Sequence, residues 1–270
     1  MIQTVEEKLN FEQRVWNKKF FNIPAGDDFA CALIRGLEFR LQRQGRNHPD
    51  RFADCVIIMN NARSKRRLEE KFYEKRINIL PRIGLVTDLS FLVNGLVEPA
   101  KKSTFESKVE KLLNLESLIS SYLKEIGYRD YKKNSFELAS VLDKLFREMV
   151  LSGLDLDAFD KVDSMNLSNH WQQSLGFIKI VEQYKSNLEK QNTLDQERFN
   201  LSILDLIEKE WKICPPKFPI IVAGSTGSRY PTSRLMNAVI DLPEGYVVLP
   251  GLDNLLSDSE WKQVKPDHPQ

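Results

Sequence analysis

The sequence predicts an α/β protein: a parallel sheet interrupted by a large helical insertion. Two observations carry that expectation. Cys55-Val56-Ile57-Ile58-Met59, Phe218-Pro219-Ile220-Ile221-Val222-Ala223 and Tyr246-Val247-Val248-Leu249 are apolar without alternation, as strands buried on both faces of a parallel sheet must be. From about residue 100 to residue 213 the apolar residues recur at helical spacing instead, and no strand pattern interrupts them. The expected organisation is a first half of the α/β domain at 1–90, a helical insertion at 91–213 and a second half at 214–270.

Each element has a local reason. Phe20-Phe21-Asn22-Ile23 reads as a short strand ended by Pro24-Ala25-Gly26. Asp27 or Asp28 can cap the following helix, in which Phe29, Leu33, Leu37 and Leu41 recur at i, i+4. Gly45 and Asn47-His48-Pro49-Asp50 break that helix, and the run at Cys55 follows. Asn60-Asn61 turns the chain into a second helix through Leu68 and Phe72, and Ile79-Leu80-Pro81 begins another extended stretch. In the insertion, four amphipathic helices are expected. Phe105, Val109, Leu112 and Leu113 with Leu118, Ile119, Tyr122 and Leu123 mark the first, and Leu138, Val141, Leu142, Leu145, Phe146 and Met149 the second. Leu175, Ile178, Val181, Tyr184 and Leu188 mark the third, opened near Ser168-Asn169; Leu194, Phe199, Ile203, Leu206, Ile207 and Trp211 mark the fourth. After Cys214-Pro215-Pro216 the strand at Ile220 resumes the sheet, and a helix from about Pro231 to Ile240 leads to the last strand, ended by Pro250-Gly251.

Composition narrows the function classes. The chain has 270 residues, 41% of them hydrophobic, too many for a disordered segment. No run approaches the ~20 apolar residues of a membrane span, and the N-terminus lacks a signal-peptide profile, so a soluble cytoplasmic protein is expected. Cys31, Cys55 and Cys214 form no C-x-x-C pair, and His48, His170 and His268 are scattered; neither set has metal-ligand spacing. The net charge of +1 hides an asymmetry: residues 1–87 hold 17 Lys and Arg against 11 Asp and Glu, the remainder 22 against 27. A basic N-terminal third points to a polyanion.

In a parallel sheet, ligands gather at the carboxyl ends of strands, where helix N-termini offer free N–H groups. Three loops qualify. Ile23-Pro24-Ala25-Gly26-Asp27-Asp28 has one glycine, no lysine and two acids; a phosphate loop of the G-x-x-x-x-G-K-[ST] kind needs the reverse. Asn60-Asn61-Ala62-Arg63-Ser64-Lys65-Arg66-Arg67 places four cations in the first turns of a helix, against its dipole. Its pairs Lys65–Glu69 and Arg66–Glu70 run in the poorer orientation. Arg63, Lys65, Arg66 and Arg67 are therefore candidates for DNA-phosphate contact, weighed against a plain solvated face. The third loop, Gly224-Ser225-Thr226-Gly227-Ser228-Arg229, could cradle an anion, but Ala223 stands where a magnesium-holding acid would close the strand.

Further along the chain, Val222-Ala223-Gly224-Ser225-Thr226-Gly227-Ser228 and the run from Leu242 through Tyr246-Val247-Val248-Leu249-Pro250-Gly251-Leu252-Asp253 resemble the alphaproteobacterial AddB family of double-strand-break repair proteins. Ile23-Pro24-Ala25-Gly26 with Phe29, Leu80-Pro81-Arg82-Ile83, His170-Trp171-Gln172, Trp211 with Pro215-Pro216, Trp261 and His268-Pro269-Gln270 follow in the family's order. The resemblance implies the N-terminal region of an inactivated superfamily I helicase-like, P-loop-like fold. In the family that region belongs to a helicase–nuclease that resects DNA ends for recombination, with an AddA-type subunit as ATP-driven motor. It implies partners in AddA and in double- and single-stranded DNA ends, and no catalytic residue, metal or cofactor in this chain. The family's nuclease metal and iron–sulfur cluster lie in C-terminal domains hundreds of residues past His268-Pro269-Gln270, so these 270 residues would be the front of a longer machine and would not themselves cut DNA. Where the family has a P-T-R-R-type run, this chain reads Asn60-Asn61-Ala62-Arg63, which leaves Arg63, Arg66 and Arg67 as its basic positions. A competing expectation is a small nucleotide- or phosphometabolite-binding protein using Gly224–Ser228; a third is a chain that keeps only a partner-binding surface.

Overall fold

The computed structural model describes residues 19–48, 50–77, 79–93, 104–128, 131–154, 169–191, 193–251, 259 and 263; for 104–105, 131, 133, 169–178 and 189 it describes the backbone. The elements in chain order are β1 (Phe20–Ile23), α1 (Phe29–Arg43), β2 (Val56–Met59), α2 (Ala62–Glu74), β3 (Arg82–Leu85) and a 3₁₀ turn at Ser90–Leu92. There follow β4 (Thr104–Phe105), α3 (Lys108–Glu125), α4 (Tyr131–Leu151), α5 (Asn169–Gln191), β5 (Thr193–Leu194), α6 (Gln196–Ile213), β6 (Ile220–Ala223), α7 (Tyr230–Asp241) and β7 (Gly245–Pro250). The protein is α/β, with a five-stranded sheet of order β1-β7-β6-β2-β3 in which every pairing is parallel.

The chain divides into two compact units: the described residues within Met1–Val86, Pro215–Thr226 and Met236–Gln270 form one, those within Thr87–Cys214 and Gly227–Leu235 the other. In the first unit α1 and α2 cover one face of the sheet. Leu33, Ile34, Leu37 and Leu41 of α1 and Leu68 and Phe72 of α2 pack with Ile57, Met59, Ile221, Ala223, Tyr246 and Val248. Phe52 meets Phe72 edge-on, with ring centroids 5.3 Å apart. Val56, Ile58, Val222 and Val247, which point to the opposite face, are buried as well, which is why these strands do not alternate. Of the two candidate caps, Asp28 starts α1: its carboxylate accepts the N–H of Cys31 at 3.1 Å. Lys19 closes the far end of α7, donating to the carbonyls of Ile240 (2.5 Å) and Leu242 (2.7 Å).

The second unit is not purely helical. β4 and β5 pair in parallel, Thr104 with Thr193 and Phe105 with Leu194, so the expectation of uninterrupted helices is corrected. Phe105 and Leu194 belong to these strands rather than to α3 and α6. Both helices start later because polar caps fix them there: Ser107 and Glu110 form a reciprocal capping box on α3, and Asp195 caps α6 by accepting the N–H of Arg198 at 2.9 Å. The extended stretch placed at Ile79-Leu80-Pro81 is likewise found later, as β3; Arg82 N–H donates to Cys55 carbonyl and sets its register. Asn169, Pro231 and Ile240 lie within one residue of the observed ends of α5 and α7. The side chains of His170, Trp171 and Gln172, and the segments holding Leu252-Asp253, Trp261 and His268-Pro269-Gln270, lie outside the described residues.

The helical unit also encloses a charged centre. Lys111, buried on α3, lies 3.0 Å from both Asp143 of α4 and Asp195, with side-chain exposures of 4%, 7% and 4%. Beside it Glu106 accepts from Tyr184 hydroxyl and Asn114 amide, each at 2.6 Å, and Tyr184 stacks on Phe146. Burial pushes the Tyr184 hydroxyl well above its ordinary range.

Candidate nucleic-acid interface

The carboxyl edge of the five-stranded sheet brings together the loops after β1, β2, β6 and β7. Gly251 N–H donates to Ile23 carbonyl (2.8 Å) and Gly224 N–H to Val248 carbonyl (3.0 Å), so the strand ends stay level. Both glycines have positive φ, +62° and +77°, where a side chain is strained. A Cβ on Gly224 would lie 3.4 Å from the Asn60 side-chain oxygen. That oxygen accepts from the Asn61 amide at 2.9 Å, while Asn61 caps α2 by accepting Ser64 N–H at 2.8 Å.

The loop after β1, Pro24-Ala25-Gly26-Asp27-Asp28, contains no lysine. Asp28 accepts the N–H of Cys31, the third residue of α1, and its other carboxylate oxygen takes Arg67 of α2 at 3.2 Å. The Cys31 N–H and the Arg67 guanidinium hold this carboxyl below its usual range. An internal anion thus takes one of the N–H groups at the start of α1.

The four candidate cations of α2 do not share one face. At about 100° per residue, Arg63, Arg66 and Arg67 project on the side opposite Leu68 and Phe72, whereas Lys65 lies roughly 200° round from Arg63 on the flank of the buried stripe. Lys65 stands 3.9 Å from Glu69. Arg66, 84% exposed, pairs with Glu70 at 3.5 Å, and Arg67 with Asp28 and, at 3.7 Å, with Glu70. Arg63 is exposed and forms no ion pair among the described residues. The structure therefore brings three of the four together and shows two acids, Asp28 and Glu70, facing them.

The loop after β6 is arranged differently from its expectation. Gly224, Ser225 and Thr226 belong to the first unit, Gly227, Ser228 and Arg229 to the second. Arg229, expected to lend the loop its charge, instead places one guanidinium nitrogen 3.2 and 3.0 Å from the two carboxylate oxygens of Glu148. The local sequence gives no hint of that pair, because 81 residues separate its members.

A cavity of about 340 Å³ opens between β1 and α1, lined mainly by Phe21, Leu33, Leu37, Phe39, Tyr246 and Val248. Arg40 there lies over the Tyr246 ring at 3.9 Å. Its lining is too apolar for a phosphate.

The comparisons with known proteins bear on ancestry rather than activity. No family model matches the sequence. Part of the chain is similar to uncharacterized proteins of Rickettsia: 29% identical over 127 residues to one from Rickettsia conorii, 26% over 115 to one from Rickettsia typhi and 26% over 127 to one from Rickettsia felis. These stretches cover 46%, 38% and 46% of this chain but 13% of each relative, so the chain spans a small part of proteins several times its length.

Among the described residues no group of three or more His, Cys, Asp or Glu is placed to hold a metal ion, and no helix is long and apolar enough to cross a membrane.

Proposed function

We propose that this chain is a non-catalytic, helicase-like region of a subunit of an AddAB-type helicase–nuclease, which guides DNA at double-strand breaks and docks on an AddA-type motor subunit in the cytoplasm. The observation that carries this reading is a paired one. The arginine face of α2 stands at the carboxyl edge of a parallel sheet whose phosphate-loop position is filled by the Asp28 carboxylate. In an active motor of this kind β1 would lead into the lysine loop and β6 would end in a magnesium-holding acid. Here β1 leads to Asp27-Asp28 and β6 ends in Ala223, with β7 between them. What remains is a surface for phosphates that are held, not transferred. Arg63, Arg66 and Arg67 make the contact; Lys65, turned to the flank, contributes little.

The test is fluorescence anisotropy with a labelled single-stranded oligonucleotide and a duplex with a single-stranded tail. The triple variant R63E/R66E/R67E should lose binding, K65E should keep most of it, and sequence should not matter. Tight binding by the triple variant would defeat the reading of this face. Capture of an AddA-type subunit by the chain without DNA tests the docking. The rival, a nucleotide- or phosphometabolite-binding protein using Gly224–Ser228, would have to draw Arg229 away from Glu148, an exposed pair.

A further inference from the structure

We infer that Asp28 restrains the DNA contact of α2 from within, by holding Arg67 in the place of a backbone phosphate. This rests on the DNA-contact reading above and concerns its regulation. Three observations converge on the residue. Its two carboxylate oxygens are divided between two groups that a phosphate would seek, the N-terminal N–H of α1 at Cys31 (3.1 Å) and the Arg67 guanidinium (3.2 Å). Both members of the ion pair are partly exposed, Arg67 at 49% and Asp28 at 40%, so a phosphate can reach Arg67 and compete for it. Asp28 is also ionised throughout the neutral range, since those same contacts keep its carboxyl acidic. The adjacent Asp27 differs: its carboxylate meets no cation among the described residues, and its backbone N–H donates to Pro24 carbonyl at 3.1 Å.

A partly exposed ion pair of this kind is weak in itself, which suits a restraint that DNA must be able to displace. Neutralising Asp28 changes the balance at Arg67, leaving Glu70 at 3.7 Å as its remaining acidic neighbour. Asparagine caps a helix as well as aspartate does, so D28N removes the charge and retains the start of α1.

The experiment measures anisotropy of a 5′-fluorescein-labelled oligo-dT strand with the full chain and its D28N, D27N, R67Q and D28N/R67Q variants, each checked for an unchanged melting temperature. D28N should tighten binding by about three- to tenfold at low salt and steepen the dependence of log K on log salt by about 0.7, one extra phosphate contact on a single strand. D27N should gain markedly less, and the gain from D28N should vanish in the R67Q background. If D28N is without effect while R63E/R66E/R67E still abolishes binding, the restraint is refuted and the DNA face stands. A gain of equal size in D27N, or one that persists in R67Q, reduces Asp28 to general charge and also refutes it. Absence of binding by every protein, wild type included, overturns the restraint together with the reading beneath it.

Discussion

A methyl group on Gly245 would stand 1.6 Å from the carbonyl oxygen of Val239 and 2.7 Å from its carbonyl carbon. Neither atom can withdraw, because both are backbone in the last turns of α7, where Leu242 N–H donates to that same carbonyl at 3.1 Å. Gly245→Ala should therefore lose about 3 kcal/mol or more, the upper end of overpacking, seen as a lower urea midpoint at unchanged slope. The three cysteines offer a second measurement at this scale. Cys214 is exposed, Cys31 half-buried and Cys55 buried; burial pushes the Cys55 thiol up to about 12, far from the thiolate that reacts. In a thiol-exchange assay at pH 8, Cys214 should react first and Cys55 stay silent until the chain is unfolded. Rapid modification of Cys55 in native protein would contradict its place beneath α1 and α2.

Among the elements, the Lys111 centre joins α3, α4 and the start of α6. Removing its cation takes the 3.0 Å partner from Asp195 and leaves Asp143 with Arg147 at 3.8 Å, and breaking a buried pair in this way costs about 3–5 kcal/mol. Lys111→Met should lose that much in equilibrium unfolding, and a loss under 1 kcal/mol, the scale of a surface pair, would show that the centre is solvated. Its pH dependence has a definite sign. The charges of Asp195 and Asp143 outweigh burial and raise the Lys111 amine above its ordinary 10.5. The resulting stability is fully present below that value and is lost as pH rises through the higher folded one. Native protein should weaken above about pH 10.5, and K111M should lack that part of the decline. The elements themselves were unequally legible in the sequence. β2, β6 and β7 could be seen because strands buried on both faces are apolar at every position. β4 and β5 have two residues each, too few to show a period, and Phe105 stands four residues before Val109, so a helical stripe absorbs it. The polar caps Ser107 and Asp195 were the available signal that both helices begin later.

For the molecule as a whole, the basic cluster was visible as composition, but its division into a face and a flank needed the position of the buried stripe. The pairs Arg67–Asp28 and Arg229–Glu148 span 39 and 81 residues and have no local signature. Those pairs bear on both readings of the chain, and solution binding separates them. If the carboxyl edge were a nucleotide site, magnesium-ATP should bind with a saturable heat that weakens only modestly with salt. Such a ligand would have to compete with Asp28 for the Cys31 N–H of α1 and with Glu148 for Arg229. Calorimetry with magnesium-ATP, ADP and a sugar phosphate should show no saturable binding in the micromolar range. DNA should bind with a strong salt dependence, and its slope counts the contacts. With Arg67 held by Asp28, two arginines on a single strand predict a slope of about −1.4 in log K against log salt, and release of Arg67 in D28N brings it to about −2. Replacing Arg63, which has no acidic partner among the described residues, should remove about 0.7 of it, whereas Lys65→Gln should leave it nearly unchanged. A slope that ignored Arg63, or a micromolar nucleotide, would reverse the choice.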